Sequence, residues 1–358
     1  MPICLSPNGT ATFSSERPSD DVVVGTAQGV VTINRGTSGL WTVGANALQE
    51  CHISSLMIEP LSGLMFAGVH GGALYASDDH GRTWVLKNKG IAHDHVYCLS
   101  YVHDNGLTKL YAGTEPAHLY VSHNLGESWE ELTGILSVPS VPKWTFPAPP
   151  HIGHVKNITF DPGHAKTIYV GIEQGGLLKS TDGGSSWSEL HGFHDDVHRL
   201  VIKRSDPSSL YMANGDGLFH SSDSGVTWEQ WTNRSMRIGY PDGLLMHPHR
   251  EELMFMSGGV NAPSQWRASR TADARIARSR DGGRSWEMLH QGLPEHLRAN
   301  TEALMMEAWK ESFALFVGTT DGDIFYSDDE GEHWSNIVAG MPAISKGRHF
   351  CNLNEVAA

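Results

Sequence analysis

The chain has 358 residues, 40 acidic against 26 basic side chains, and a formal net charge of −14. That excess, without any Lys or Arg cluster, excludes nucleic acid and an anionic membrane as main partners, and no stretch is apolar for long enough to span a bilayer. The start, MPICLSPNGTATF, lacks a basic segment followed by an apolar run, and Cys4, Cys51, Cys98 and Cys351 lack metal-type C-x-x-C spacing, so free thiols in a reducing, cytoplasmic compartment are expected.

In chain order, TATFSS (10–15) reads as a strand, after which one phrase keeps returning. Its marker is a box ending in Trp: NRGTSGLW (34–41), SDDHGRTW (77–84), SHNLGESW (122–129), STDGGSSW (180–187), SSDSGVTW (221–228), SRDGGRSW (279–286) and SDDEGEHW (327–334). In the full boxes the Asp side chain accepts amide bonds from the residues just after it, the Gly supplies a left-handed turn, and Ser or Thr hydroxyls close what is left. The Trp pins that turn to the sheet. Before each box stand short apolar strands such as LYAGT (110–114), IYVGI (168–172) and LLKS (177–180), and no long helical period intervenes. Trp41, Trp84, Trp129, Trp187, Trp228, Trp286 and Trp334 mark a period in the forties, which predicts an all-β, seven-bladed β-propeller formed by residues 1–358 as one domain.

The boxes resemble the Asp-box, or bacterial neuraminidase repeat, of sialidases, xyloglucan-active glycoside hydrolases, sortilin-type receptors and the propellers that assist photosystem II assembly. The resemblance covers nearly the whole chain and implies the fold. It leaves function open, because such boxes occupy blade peripheries in proteins of unrelated activity.

The inner strands align on their apolar triplets, from LMI (56–58) to LMM (304–306). Four residues before each triplet stand His52, His95, His154, Asp196, Tyr240 and Asn300; two residues before it stand Ser54, Tyr97, Lys156, His198, Asp242 and Glu302. Residues two apart on a strand share a face, so both sets are expected to line the central channel above an apolar ring of Leu56, Leu99, Ile158, Leu200, Leu244 and Leu304. For the inner strand of the first blade, HFCNL (349–353) competes with TATFSS (10–15), and adds His349 if it closes the ring. Three or four imidazoles on rigid strands suit a divalent transition metal, Zn, Fe, Cu, Mn or Ni, which gives His52, His95, His154 and His349 as metal ligands. The bland alternative is a wet channel of hydrogen-bonded histidines. Tyr97, His198, Asp242 and Glu302 are the candidates for acid–base work beside that cation. His70, Glu115, His118, Glu173 and Asp216 fall on turns at the rim, read as solvated.

Two repeats carry insertions, near 137–154 and 259–277, both emerging on the histidine face. Trp144, Trp266, Arg267 and Arg270, with Tyr240, are the candidate substrate-binding residues of a lid, stacking a ring and pairing a carboxylate. Two functions follow: a metal-dependent lyase, oxygenase or hydrolase acting on a small organic or sugar-like substrate, or a non-catalytic scaffold that binds a protein partner. The plan is similar to that of propeller lyases and four-histidine iron propellers, without either family's full motif. A sialidase ranks third, because the expected arginine triad and Arg-Ile-Pro segment are missing. Xyloglucan-active relatives pair two tandem propellers, and this chain has room for one.

Overall fold

The computed structural model describes residues 2–236, 238–310, 312–348, 351 and 353. Seven sheets follow one another around a central channel, six of four strands and one of five. In the second blade His52–Ile58 runs innermost, followed outward by Met65–His70, Leu74–Ser77 and Val85–Leu86, each antiparallel to the last. Blades three to seven repeat that order, and their inner strands are His95–Asp104, His154–Asp161, Val197–Ile202, Tyr240–Met246 and Thr301–Ala308. Apolar residues on both faces of each sheet pack between blades: Leu56, Leu99, Ile158, Leu200, Leu244 and Leu304 each belong to a different cluster of the core. No helix among the described residues is long and apolar enough to cross a membrane.

The boxes sit on the turns into the outermost strands, at the end of each blade opposite the start of the inner strand. Asp182 Oδ1 accepts the amide of Ser186 at 2.9 Å and its Oδ2 the Ser186 hydroxyl at 2.6 Å, while the Ser180 hydroxyl accepts the amide of Gly184. Gly184 takes φ +95°, and its carbonyl accepts the Trp187 indole N–H at 3.0 Å. The same bonds recur around Asp79 and Asp223. Bonding to the ionised form, led by the hydroxyl of Thr83, Ser186 or Thr227, pulls all three carboxyls down to about 2. A carboxyl depressed in the folded chain adds stability that is complete above its unfolded value near 3.9 and vanishes as pH falls through the folded value. Acid unfolding should therefore steepen between about pH 4 and pH 2. Asp182→Ala should flatten its share of that slope in a pH series of thermal melts.

The first blade closes differently from either alternative read in the sequence. Its inner strand is Ile3–Leu5, running parallel to Asp21–Thr26. Thr12–Ser14, part of the expected first-blade strand, lies instead on the inner edge of the seventh blade, parallel to Thr301–Ala308. Glu307, buried there, accepts the hydroxyls of Ser15 and Ser19 at 2.5 and 2.6 Å. His349 lies outside the described residues, and the backbone at Cys351 and Leu353 is helical, where a strand was expected.

Between those strands, residues 6–11 cross the channel. Asn8 N–H donates to Ser54 O at 3.2 Å and Thr10 N–H to Leu56 O at 3.0 Å, and the Arg199 guanidinium donates to the carbonyl of Pro7. A space of about 240 Å³ remains in that half of the channel, walled by Leu99, Ile158, Leu200, Leu244 and this crossing segment. The apolar floor expected from the inner strands is therefore shared with a segment outside the repeats.

Candidate functional site

Six inner strands carry a β-bulge at one equivalent place, marked by register shifts between Ile53 and Ser55, Val96 and Cys98, Val155 and Asn157, Val197 and Arg199, Pro241 and Gly243, and Thr301 and Ala303. The extra residues are Ser54, Tyr97, Lys156, His198, Asp242 and Glu302, all buried. A bulge re-aims its side chain and bends the strand, so one repeated irregularity turns six polar groups on the same tier toward the channel.

What fills the cup is a lysine from outside the repeats. Residues 343–348 enter from the histidine face: the carbonyl of Ala343 accepts the amide of Ala27, and Ile344 donates to Thr319 O. Lys346, 1% exposed, sets its ammonium against Asp242 and 3.8 Å from Glu173. Glu302 accepts the Lys346 amide at 2.8 Å and the Ser345 hydroxyl at 2.9 Å. Asn300 Nδ2 donates to Asp242 at 2.8 Å, and Lys156 donates to Glu173 at 2.9 Å. Burial alone would raise the carboxyls of Asp242 and Glu173, but the neighbouring lysines outweigh it and hold both well below the usual range. Burial pushes Lys156 down to about 8 against the pull of Glu173. The Tyr97 phenol is driven well above its ordinary value by burial and then by carboxylates led by Glu173. Asp242 and Glu302, put forward for acid–base work, thus hold Lys346, and Tyr97 is buried with its ring against His154.

The rim histidines form a row. His70 stands between His52 and His95, with ring centroids at 5.4 and 5.7 Å, and Tyr97 lies against His154 at 3.9 Å. Burial and the adjacent His52 bring His70 down to about 4. His52 Nε2 is 2.7 Å from Ser345 O, and His95 Nδ1 is 3.8 Å from Glu115. His154 lies between Glu115 at 3.3 Å and Glu173 at 2.9 Å; burial opposes its protonation, yet the two carboxylates raise its proton affinity. Each ring thus has its own neighbours, and among the described residues the group that brings three ligand atoms within 4.8 Å of one another is a different one, Glu173, Asp196 and His198.

The two insertions do meet on this face. Between them lies a cleft of about 430 Å³ lined by Phe146, Pro147, Asp196, Tyr240, Pro263 and Arg267, among others. Arg267 rides on the helix Pro263–Ser269, which opens with Pro at its first turn and closes on a left-handed Arg270. Of the five substrate-binding candidates, Tyr240 and Arg267 reach the cleft. Trp266 is buried under the helix against Ala272 and Leu353, its indole donating to Asn261 O at 2.8 Å. Trp144 turns to the outer side of its insertion and donates to Ser140, and Arg270 is the helix cap. At the cleft's edge with the channel, Asp196 is 5% exposed, its Oδ1 3.3 Å from His198 Nε2.

Sequence reasoning missed Lys346 and the crossing segment, and left Glu173 on a rim turn. Glu173 carried a signal: it pairs directly with His154, as Glu115 does with His95 and His70 with His52. Aligning second strands as well as inner ones would have moved Glu115 and Glu173 from solvated turns into the ring.

The family model for Sortilin-Vps10 (sortilin, neurotensin receptor 3) matches residues 175–297. A xyloglucanase of Paenibacillus sp is 24% identical over 67% of this chain and 26% of its own length. The chain spans 10–27% of the length of the curated relatives it matches. Among solved structures, a Niastella koreensis GH74 enzyme superposes with a TM-score of 0.63 at 20% identity, covering 94% of this chain and 55% of its own. A structure of YCF48 bound to D1 peptide gives 0.58 at 14% identity, covering 90% and 94%. With its seven sheets around one channel, this chain is a seven-bladed β-propeller.

Proposed function

We propose that this propeller is a carbohydrate-active protein of the glycoside hydrolase-like kind, with the cleft between the insertions as its substrate site. The observation that carries the reading is the cleft's make-up: the aromatic Phe146 and Tyr240, the Arg267 guanidinium and the Asp196 carboxyl group all line it. The likeness to a xyloglucanase and to a GH74 enzyme supports it. The ligand is small, because about 430 Å³ holds two or three sugar rings at most. The buried free thiols Cys4 and Cys98, the latter pushed up to about 12 by burial, fit a reducing compartment.

The test is a panel of aryl glycosides and xyloglucan-derived oligosaccharides, with products read by mass spectrometry. Turnover should fall about 100-fold or more in Asp196→Asn, whereas Phe146→Ala should chiefly raise KM. Binding without cleavage by the wild type would remove the hydrolase reading. A second reading, a peptide-binding propeller, is favoured by the wall of Pro147, Pro149 and Pro263 beside Arg267, which suits an extended peptide ending in a carboxylate. Retention of such a peptide, with no glycan bound, would select it.

A further inference from the structure

Behind the cleft wall at Asp196, three polar atoms are in an unusual state. Glu173 Oε1, Asp196 Oδ1 and His198 Nε2 lie within 4.8 Å of one another, all on residues at least 95% buried. Among the described residues none of the three has a hydrogen-bond partner. Buried polar atoms are normally satisfied, and an orphan costs on the order of 1–3 kcal/mol. Three such atoms converging on one point are an assembled set of candidate ligand atoms.

Their outer partners fix the lone pairs in place. His198 Nδ1 is 2.7 Å from the carbonyl of Pro241, which can only accept, so Nδ1 carries the proton and Nε2 of the neutral ring faces Asp196 Oδ1 at 3.3 Å, without the alignment of a hydrogen bond. Glu173 Oε2 accepts from His154 and Lys156, both at 2.9 Å, which leaves Oε1 for the cluster, and Lys346 is beyond hydrogen-bond range of it at 3.8 Å. Such outer hydrogen bonds orient the ligands of metal sites and raise their basicity. Charge points the same way, because the carboxylates Glu115, Glu173, Asp196, Asp242 and Glu302 outnumber the lysines Lys156 and Lys346 in this part of the channel.

We propose that Glu173, Asp196 and His198 bind one divalent first-row transition ion, Mn²⁺ or Zn²⁺, behind the cleft wall at Asp196. Two carboxylate oxygens and one imidazole nitrogen suit those ions. Three protein ligands leave a coordination position open, and Asp196 lines the cleft, so that position faces whatever oxygen the cleft receives. The site needs no particular substrate, and its test is read without one.

The full chain, purified without an affinity tag and stripped with a chelator, is titrated with Mn²⁺ followed by electron paramagnetic resonance, then challenged with Zn²⁺. One ion per chain should bind, and His198→Gln and Asp196→Asn should each weaken binding by at least about tenfold, while His95→Gln, a change in the rim row, leaves it as it was. Circular dichroism confirms folding, and if either variant unfolds, an anomalous-scattering map of the wild-type crystal soaked in Mn²⁺ decides. The opposing picture is an imidazolium at His198 paired with Asp196. Absence of binding up to about 1 mM of either metal, with both ring nitrogens of His198 protonated at neutral pH by ¹⁵N resonance, overturns the proposal. Binding that survives His198→Gln, or is lost in His95→Gln, overturns it as well.

Discussion

Replacing Lys346 by Ala should destabilise the folded ring by about 3–5 kcal/mol, read as a fall in the midpoint of urea unfolding. The reason is what stays behind. Asp242 and Glu173 are 4% and 0% exposed, and without the ammonium their remaining lysine is Lys156, 3.8 Å from the one and 2.9 Å from the other. Because the Lys346 amine binds its proton more tightly folded than unfolded, its stabilisation is complete at any pH below the ordinary lysine value near 10.4 and would be lost only at higher pH. The effect should therefore be full at neutral pH. Adding Asp242→Asn to the Ala variant removes one stranded charge, and part of the loss should return. A change below about 1 kcal/mol would mean that water reaches the cluster and screens it.

Gly9→Ala should be as damaging, for a steric reason. A Cβ at that position would stand 1.7 Å from Leu56 O and 2.7 Å from Ser6 Oγ, and the first of these is backbone of the second blade's inner strand. Neither side can give way without breaking the flanking bonds from Asn8 to Ser54 and from Thr10 to Leu56. The crossing segment has to lift, which should cost about 3 kcal/mol or more and expose the Asn8 and Thr10 amides to hydrogen exchange. Gly163→Ala, whose Cβ meets nothing nearer than Asp161 Oδ1 at 3.4 Å, should stay within about 0.5 kcal/mol in the same assay. Equal effects at the two glycines would show that the crossing is loosely held.

The repeat made most of the fold legible. Seven Trp positions marked seven sheets, the boxes took the turns assigned to them, and the insertions met on the face from which the inner strands start. Alignment across blades works because each blade solves the same packing problem with the same residues. It fails for whatever lies outside the repeat, and the channel is filled by such segments: Lys346 enters from one side and Asn8 crosses on the other. The i, i+2 rule also broke where it mattered. Ser54, Tyr97, Lys156, His198, Asp242 and Glu302 are bulged residues, and nothing local in a single strand such as HVYCLSY announces a bulge. His198 was singled out for the right tier and Asp196 stands two residues before it in the same blade, but Glu173 comes from the end of the preceding blade's second strand, so only the folded chain brings that carboxylate to them.

The parallel pairing of Thr12–Ser14 with Met306–Ala308 bears on how quickly the ring assembles. Each blade is a run of neighbouring hairpins and can form from local contacts on fast timescales. The Ser15–Glu307 bond nearby joins residues 292 positions apart, and contacts of that separation are reached only after the intervening chain has been gathered in, at an entropic cost that grows with the logarithm of its length. The strand that precedes nearly every blade in sequence therefore has no edge to settle on until the last of them exists, and closure of the ring is set by topology as the slow, final event of folding.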